Sequence, residues 1–217
     1  MEPDRTQELL ASHRLVPVIV LEDAATARRL GSTLVENGLP IAEVTLRTPA
    51  ALHAIERMAA VPGLLVGAGT VLDVDQVERA AQAGASFIVS PGFDPDVVWR
   101  SLELGLLPIP GVATATEVQT ALRSGALLLK FFPAGPLGGP TALRSLAAPF
   151  PQVRFVPTGG IGEDDVPAYL ALPCVLAVGG SFMVPSAALR AGDQAEIGTR
   201  VRDAVTRVAG TDPTDTT

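Results

Sequence analysis

The run "ALLLKFF" at residues 126–132 decides the fold class and poses a question. Six of its seven side chains are apolar and follow one another without alternation. A short continuous apolar run fits a strand buried on both faces, as in a parallel sheet covered by helices. Seven more runs of this kind flank it: "LVPVIVL" (15–21), "IAEVTL" (41–46), "LLVGAG" (64–69), "SFIVS" (86–90), "LLPIP" (106–110), "VRFVP" (153–157) and "CVLAVGG" (174–180). Helix signals lie between them. Thr48-Pro49 and Asp94-Pro95 place a capping residue before proline at the first helical position. Thr114 and Glu117 have the spacing of a capping box. Gly38, Gly84, Gly105 and Gly125 stand where helices end. Eight β-α units predict a single-domain α/β fold, a (β/α)8 TIM barrel over residues 1–208, with the tail "AGTDPTDTT" (209–217) disordered. An open doubly wound sheet is the alternative; it usually carries G-x-G-x-x-G after its first strand, and none is here.

The question is Lys130. It is the only lysine in 217 residues, against 15 arginines, and it sits where burial of a charge is most costly. The chain charges its surface with arginine, so ordinary solvation does not account for this amine. At 47% apolar and 18% charged residues the chain has ample material for one core. The net charge of −7 and the lack of any Lys/Arg cluster argue against nucleic acid as a partner. No apolar run approaches the roughly 18–20 residues of a membrane span. A single cysteine, Cys174, excludes an internal disulfide framework and fits a reducing, cytoplasmic setting. The N-terminus "MEPDRTQELL" shows no apolar core of a signal peptide.

In a barrel of this kind the site lies at the carboxyl ends of the strands. Three features fall there. In "AEVTLRT", Glu43, Thr45 and Arg47 alternate with Val44 and Leu46, so the polar three share one face. That face is either a structural ion pair or one wall of a site. Lys130 is either a salt-bridged core lysine or a Schiff-base nucleophile. Burial disfavours an ammonium and so favours the free, nucleophilic amine, a state that arginine cannot reach. The glycine pairs in "TGG" (158–160) and "GGS" (179–181) follow the seventh and eighth runs, where backbone N–H groups can cradle a phosphate. "GAGTV" (67–71), "SPG" (90–92) and "IPGV" (109–112) complete a mouth of small residues, Thr70 among them. His13 and His53 stand isolated, and no His/Asp/Glu cluster has metal-ligand spacing, so neither metal nor cofactor is expected.

Taken in order, "EVTLRT", "GAGTV", "SPG", "PGV", "KFFPA", "RFVPTGGI" and "VGGS" resemble the bacterial 2-keto-3-deoxy-6-phosphogluconate (KDPG) aldolase family, which includes 4-hydroxy-2-oxoglutarate (KHG) aldolases. The resemblance runs from about residue 15 to about 190. It implies a (β/α)8 barrel, a metal-free class I aldolase acting in the Entner–Doudoroff pathway, and a homotrimer. Residue by residue, it implies Lys130 as the Schiff-base lysine and Glu43 as the proton carrier. Arg47 and Thr70 would hold the pyruvate-like end of a phosphorylated keto-sugar acid, with Pro91, Phe132 and Thr158 lining its pocket. Gly159, Gly160, Gly179, Gly180 and Ser181 would bind phosphate. After "KFFPA" the chain has "GPLGGP" where relatives often carry a more polar stretch, which bears on the aldehyde half of the substrate. Three other activities remain open on these residues: cleavage of 4-hydroxy-2-oxoglutarate, cleavage of 2-keto-3-deoxy-6-phosphogalactonate, and a non-catalytic barrel that binds a phosphosugar.

Overall fold

The computed structural model describes residues 3–209. Nine strands are formed: β1 (Leu15–Ile19), β2 (Ile41–Thr45), β3 (Leu65–Gly69), β4 (Phe87–Val89), β5 (Leu107–Ile109), β6 (Gly111–Val112), β7 (Leu128–Phe131), β8 (Arg154–Pro157) and β9 (Val178–Gly180). Ten helices accompany them: α1 (Pro3–His13), α2 (Ala27–Glu36), α3 (Ala51–Ala59), α4 (Val74–Gln82), α5 (Pro95–Glu103), α6 (Ala115–Arg123), α7 (Gly139–Ala147), α8 (Val166–Leu170), α9 (Ser186–Ala191) and α10 (Gln194–Ala209). The expected tail begins at the last residue of α10; residues 210–217 lie outside the described residues.

Each of the eight apolar runs contains a strand, and every paired strand is parallel. The order is β5-β4-β3-β2-β1-β9 in one curled sheet and β6-β7-β8 in a second. The fifth run yields β5, and β6 follows it beyond Pro110: proline has no N–H for the ladder, although its carbonyl accepts from Lys130 N at 2.8 Å. Parallel bridges Phe155–Val175 and Thr158–Gly179 join the two sheets on the other side.

Alternation along the strands sorts side chains between two apolar clusters. Val44, Ala68, Ile88, Leu129 and Phe155 pack outward under the helices. Ile41, Leu65, Phe87, Leu128 and Val156 meet on the opposite face, with Leu10 of α1 against them. Fully burying a side chain of this size contributes about 1.5–3 kcal/mol. The Phe87 ring lies where a side chain at residue 67 would go, so Gly67→Ala would disrupt this layer.

The helix signals mostly hold. Asp94 Oδ1 accepts from Asp96 N and Val97 N at the start of α5. Thr114 and Glu117 form a complete capping box on α6. Gly38, Gly84, Gly105 and Gly125 all have positive φ after helix ends. Thr48 differs: α3 starts at Ala51 with Ala50 at its N-cap, and the Thr48 hydroxyl donates to the Leu21 carbonyl.

Candidate active site

Two residues along each strand from the inner apolar layer, the inner face turns polar. In β2, Glu43 and Thr45 follow Ile41 on that face; in β7, Lys130 follows Leu128. The two elements bring Lys130 Nζ to 3.5 Å from Glu43 Oε1, with the side chains only 7% and 3% exposed. Phe132 lies beside the amine, its ring centroid 5.0 Å from Nζ. Glu43 Oε1 is buried and receives no hydrogen bond. The pair is therefore an amine and a carboxylate held close in a buried place, with the Lys130 amine the one group that the carboxylate oxygen faces. A buried polar atom left unsatisfied costs about 1–3 kcal/mol, so such atoms need a reason.

Above this pair opens a cavity of about 530 Å³, within the roughly 300–1,000 Å³ range usual for small-molecule sites. All twelve residues singled out in the sequence line it: Glu43, Arg47, Thr70, Pro91, Lys130, Phe132, Thr158, Gly159, Gly160, Gly179, Gly180 and Ser181. They come from the carboxyl ends of β2, β3, β4, β7, β8 and β9 or from the residues just after them.

Arg47 does not pair with Glu43. Its exposed guanidinium makes no ion pair among the described residues, so it is free to meet an anion. Thr70 adopts φ +58°, a left-handed conformation that a β-branched residue avoids; residues so held cost of order 1–3 kcal/mol and cluster at functional sites. The Thr45 hydroxyl donates to the Ile19 carbonyl at 3.1 Å, which ties β2 to β1 and leaves that group structural.

At the other end the glycines leave backbone exposed. The amides of Gly160 and Ser181 donate to no acceptor among the described residues. Gly179 lies against Thr158, where a Cβ would strike the threonine side chain. No helix begins at Ser181: the chain turns there, with Val184 N donating to the Ser181 carbonyl at 3.2 Å. The anion cradle available here is therefore made chiefly of loop amides and a hydroxyl.

Five lining residues escaped individual assignment as ligand contacts: Val18, Val20, Thr45, Ile161 and Ser186. The apolar ones look like any core residue in a strand-like run. Ser186 lies beyond the glycine motif and carries no signal of its own. Among the described residues, no group of three or more His, Cys, Asp and Glu side chains could hold a metal ion. No helix among them is long and apolar enough to cross a membrane.

Residues 6–200 match the model of the family described as KDPG and KHG aldolase. A 2-dehydro-3-deoxy-phosphogluconate aldolase of Treponema pallidum is 46% identical over 194 residues, covering 88% of this chain and 91% of its own. The crystal structure of the KDPG aldolase of Zymomonas mobilis ZM4, with 3-phosphoglycerate, superposes with a TM-score of 0.87 at 42% identity, over 94% of this chain and 96% of that one. The KDPG aldolase of Legionella pneumophila, with pyruvate captured at low pH as a covalent carbinolamine, gives a TM-score of 0.88 at 36% identity, over 92% and 97%.

Proposed function

We propose, from the premise that this chain belongs to the KDPG and KHG aldolase family, that it is a class I aldolase cleaving 2-keto-3-deoxy-6-phosphogluconate to pyruvate and glyceraldehyde 3-phosphate. The observation that carries this reading is the buried Lys130–Glu43 pair at the floor of a cavity lined by every other residue the reaction needs.

The Lys130 amine attacks the C2 ketone to give a carbinolamine, which loses water to an iminium. A base takes the C4 hydroxyl proton, the C3–C4 bond breaks, and its electron pair flows into the iminium. Glyceraldehyde 3-phosphate leaves and an enamine of pyruvate remains. Protonation at C3 and hydrolysis release pyruvate and the free amine. Glu43, whose buried Oε1 faces only the Lys130 amine, is the group that carries these protons, directly or through water. Arg47 pairs with the substrate carboxylate, and Thr70 holds the same end. Pro91, Phe132 and Thr158 line the reacting carbons. Gly159, Gly160, Gly179, Gly180 and Ser181 form the phosphate pocket, in which the N–H groups of Gly160 and Ser181 and the Ser181 hydroxyl meet the phosphate. The iminium is itself the electron sink, so turnover persists after exhaustive chelation and needs no cofactor. A non-catalytic sugar-binding role gains nothing from a buried amine facing a carboxylate.

The two sheets form one closed (β/α)8 barrel in a single domain. Three features support closure: the chain runs without a break from β5 to β6 through Pro110, two bridges link β8 to the β9 segment, and one inner cluster draws on both sheets. The protein works as a cytoplasmic homotrimer, a reading supported by the lone cysteine and by Trp99 and Leu102, exposed on α5 where a second copy could cover them.

The KHG reaction is the second reading, favoured by the scope of the matched family: the same lysine serves it, but 4-hydroxy-2-oxoglutarate does not need the glycine loops. Incubation with each substrate, followed by pyruvate detection, decides between them. Borohydride reduction in the presence of pyruvate, with mass spectrometry of the digested protein, should place the adduct on Lys130. An adduct on the N-terminal amine alone would overturn the mechanism.

A further inference from the structure

We propose that Gly69 is a positioning residue for Glu43: the side chain missing at the end of β3 is the space in which the Glu43 carboxylate lies, and that space keeps the carboxylate beside Lys130. In the β2–β3 register Gly69 pairs with Thr45 and Gly67 with Glu43, and Leu46 N donates to the Gly69 carbonyl at 2.7 Å. A Cβ built on Gly69 would run into Glu43 Oε1 and lie 2.8 Å from its Cγ and 2.9 Å from its Cδ; these are its three nearest atoms, and all belong to Glu43. Gly69 is not among the residues with positive φ, so its backbone conformation makes no demand for glycine. Space alone makes the demand.

Gly67, two residues earlier on the same strand, gives the contrast. Its vacant side is filled by the Phe87 ring, a core contact. One glycine of β3 thus accommodates an aromatic ring and the next a carboxylate. No hydrogen bond to the Glu43 carboxylate exists among the described residues; only the Lys130 amine, at 3.5 Å, faces it. Packing, not hydrogen bonding, therefore fixes where this carboxylate points, and Gly69 is the wall that yields. A larger residue at 69 would push the carboxylate away from the amine by an ångström or so, and displacement on that scale can cost about a hundredfold in rate.

The proposal rests on Glu43 as the proton carrier, and its test separates the two. In Gly69→Ala, kcat should fall by about a hundredfold while KM for the sugar acid stays near its original value, as for loss of an interaction that acts on the chemical steps. Exchange of the pyruvate methyl protons with deuterated water should slow in parallel. Borohydride trapping of pyruvate on Lys130 should continue. A second readout does not depend on activity. Gly69→Ala should lower the melting temperature in the native background and leave it unchanged in a Glu43→Ala background, where the methyl enters vacated space. Should Gly69→Ala alone fail to fold, the double variant must still fold. An equal loss of melting temperature in both backgrounds, an unfolded double variant, or a native kcat in Gly69→Ala would each overturn the proposal. Absence of trapping in the native protein would instead sink the aldolase reading itself.

Discussion

Glu43 at the cavity floor and Glu117 at the start of α6 are the same residue in opposite circumstances. Glu117 Oε2 accepts from Ala113 N at 2.8 Å, Thr114 N at 2.9 Å and the Thr114 hydroxyl at 2.9 Å. Burial pushes its carboxyl up, but these three donors together outweigh burial and hold it below the usual glutamate range. Glu43 is more deeply buried, has an oxygen without a donor, and faces one amine. The first carboxylate is spent on structure; the second has no hydrogen-bond donor among the described residues and faces only the Lys130 amine. A satisfied buried group stabilises a fold, whereas an unsatisfied charged one in a cavity is a candidate for chemistry.

The largest effect expected from this contrast lies at the partner of Glu43. Lys130→Arg preserves a cation opposite the carboxylate, but a guanidinium stays protonated and forms no imine. Pyruvate production should vanish, and so should borohydride-dependent incorporation of pyruvate. Persistent trapping in this variant would mean that the nucleophile is elsewhere and that the Lys130–Glu43 pair is merely structural.

Glu43→Gln comes next. The shape survives and proton exchange does not. A positioned acid–base group is typically worth about 10²–10⁴ in rate, so kcat should fall by that order while circular dichroism shows a folded protein. Slow trapping of pyruvate on Lys130 should remain, since the amine is still there. A kcat within a few-fold of native would place Glu43 with Glu117 among the structural carboxylates.

The contrast also explains what the sequence made legible. A lysine in "ALLLKFF" and a glutamate in "IAEVTL" stand out because each breaks an apolar run, and both prove to sit on inner faces above an apolar layer. Period-2 alternation put Glu43, Thr45 and Arg47 on one side of β2, and the cavity is on that side. Local hydrogen bonding was equally readable where it depends on neighbours in sequence, as at Thr114 and Glu117. Readings failed where a distant group competed. Thr48 looked like a cap, yet its hydroxyl is taken by Leu21, 27 residues earlier. "LLPIP" does hold one strand, β5; what it does not show is the short β6 just beyond Pro110, which belongs to the other sheet. Pairing partners were invisible too: Arg47 was as good a candidate for Glu43 as Lys130 until the strands were placed. Val18, Val20 and Ile161 have the chemistry of core residues, and only the position of the cavity distinguishes them.

At the glycine loops proposed to take the phosphate the chemistry would reside mostly in backbone, so the effect of a side-chain change should be smaller and confined to one substrate. Gly180→Asp is a poor probe, since any Cβ there meets the Phe182 ring. Ser181 is exposed at the cavity edge, and Ser181→Asp adds a carboxylate without that clash. Loss of one charge-assisted hydrogen bond, about 1.5–3 kcal/mol, corresponds to a KM for the phosphorylated substrate raised about tenfold or more. Cleavage of 4-hydroxy-2-oxoglutarate should change little. Equal damage to both substrates would show that the loop shapes the whole cavity and does not select for phosphate.

The smallest effect on activity is expected at Glu117 itself. Glu117→Gln keeps one acceptor oxygen but removes the charge that three donors converge on. Loss of a helix cap typically costs about 0.5–2 kcal/mol, and this partly exposed site belongs in that range. The sign of the pH dependence follows from the lowered carboxyl. A group that titrates lower in the folded state contributes stability fully present above its unfolded value, about 4.3 for glutamate, and lost as pH falls through the folded value. The stability gap between native protein and Glu117→Gln, measured by urea unfolding, should therefore be full at pH 7 and should narrow as the pH falls below about 4. Turnover at pH 7 should be unchanged, because Glu117 touches nothing in the cavity. The competing outcome has a definite route: the box lies just beyond β6, whose Gly111 pairs with Lys130. If kcat falls together with stability, the cap is holding the strand that carries the nucleophile's neighbour, and the division between a structural and a chemical carboxylate fails at that point.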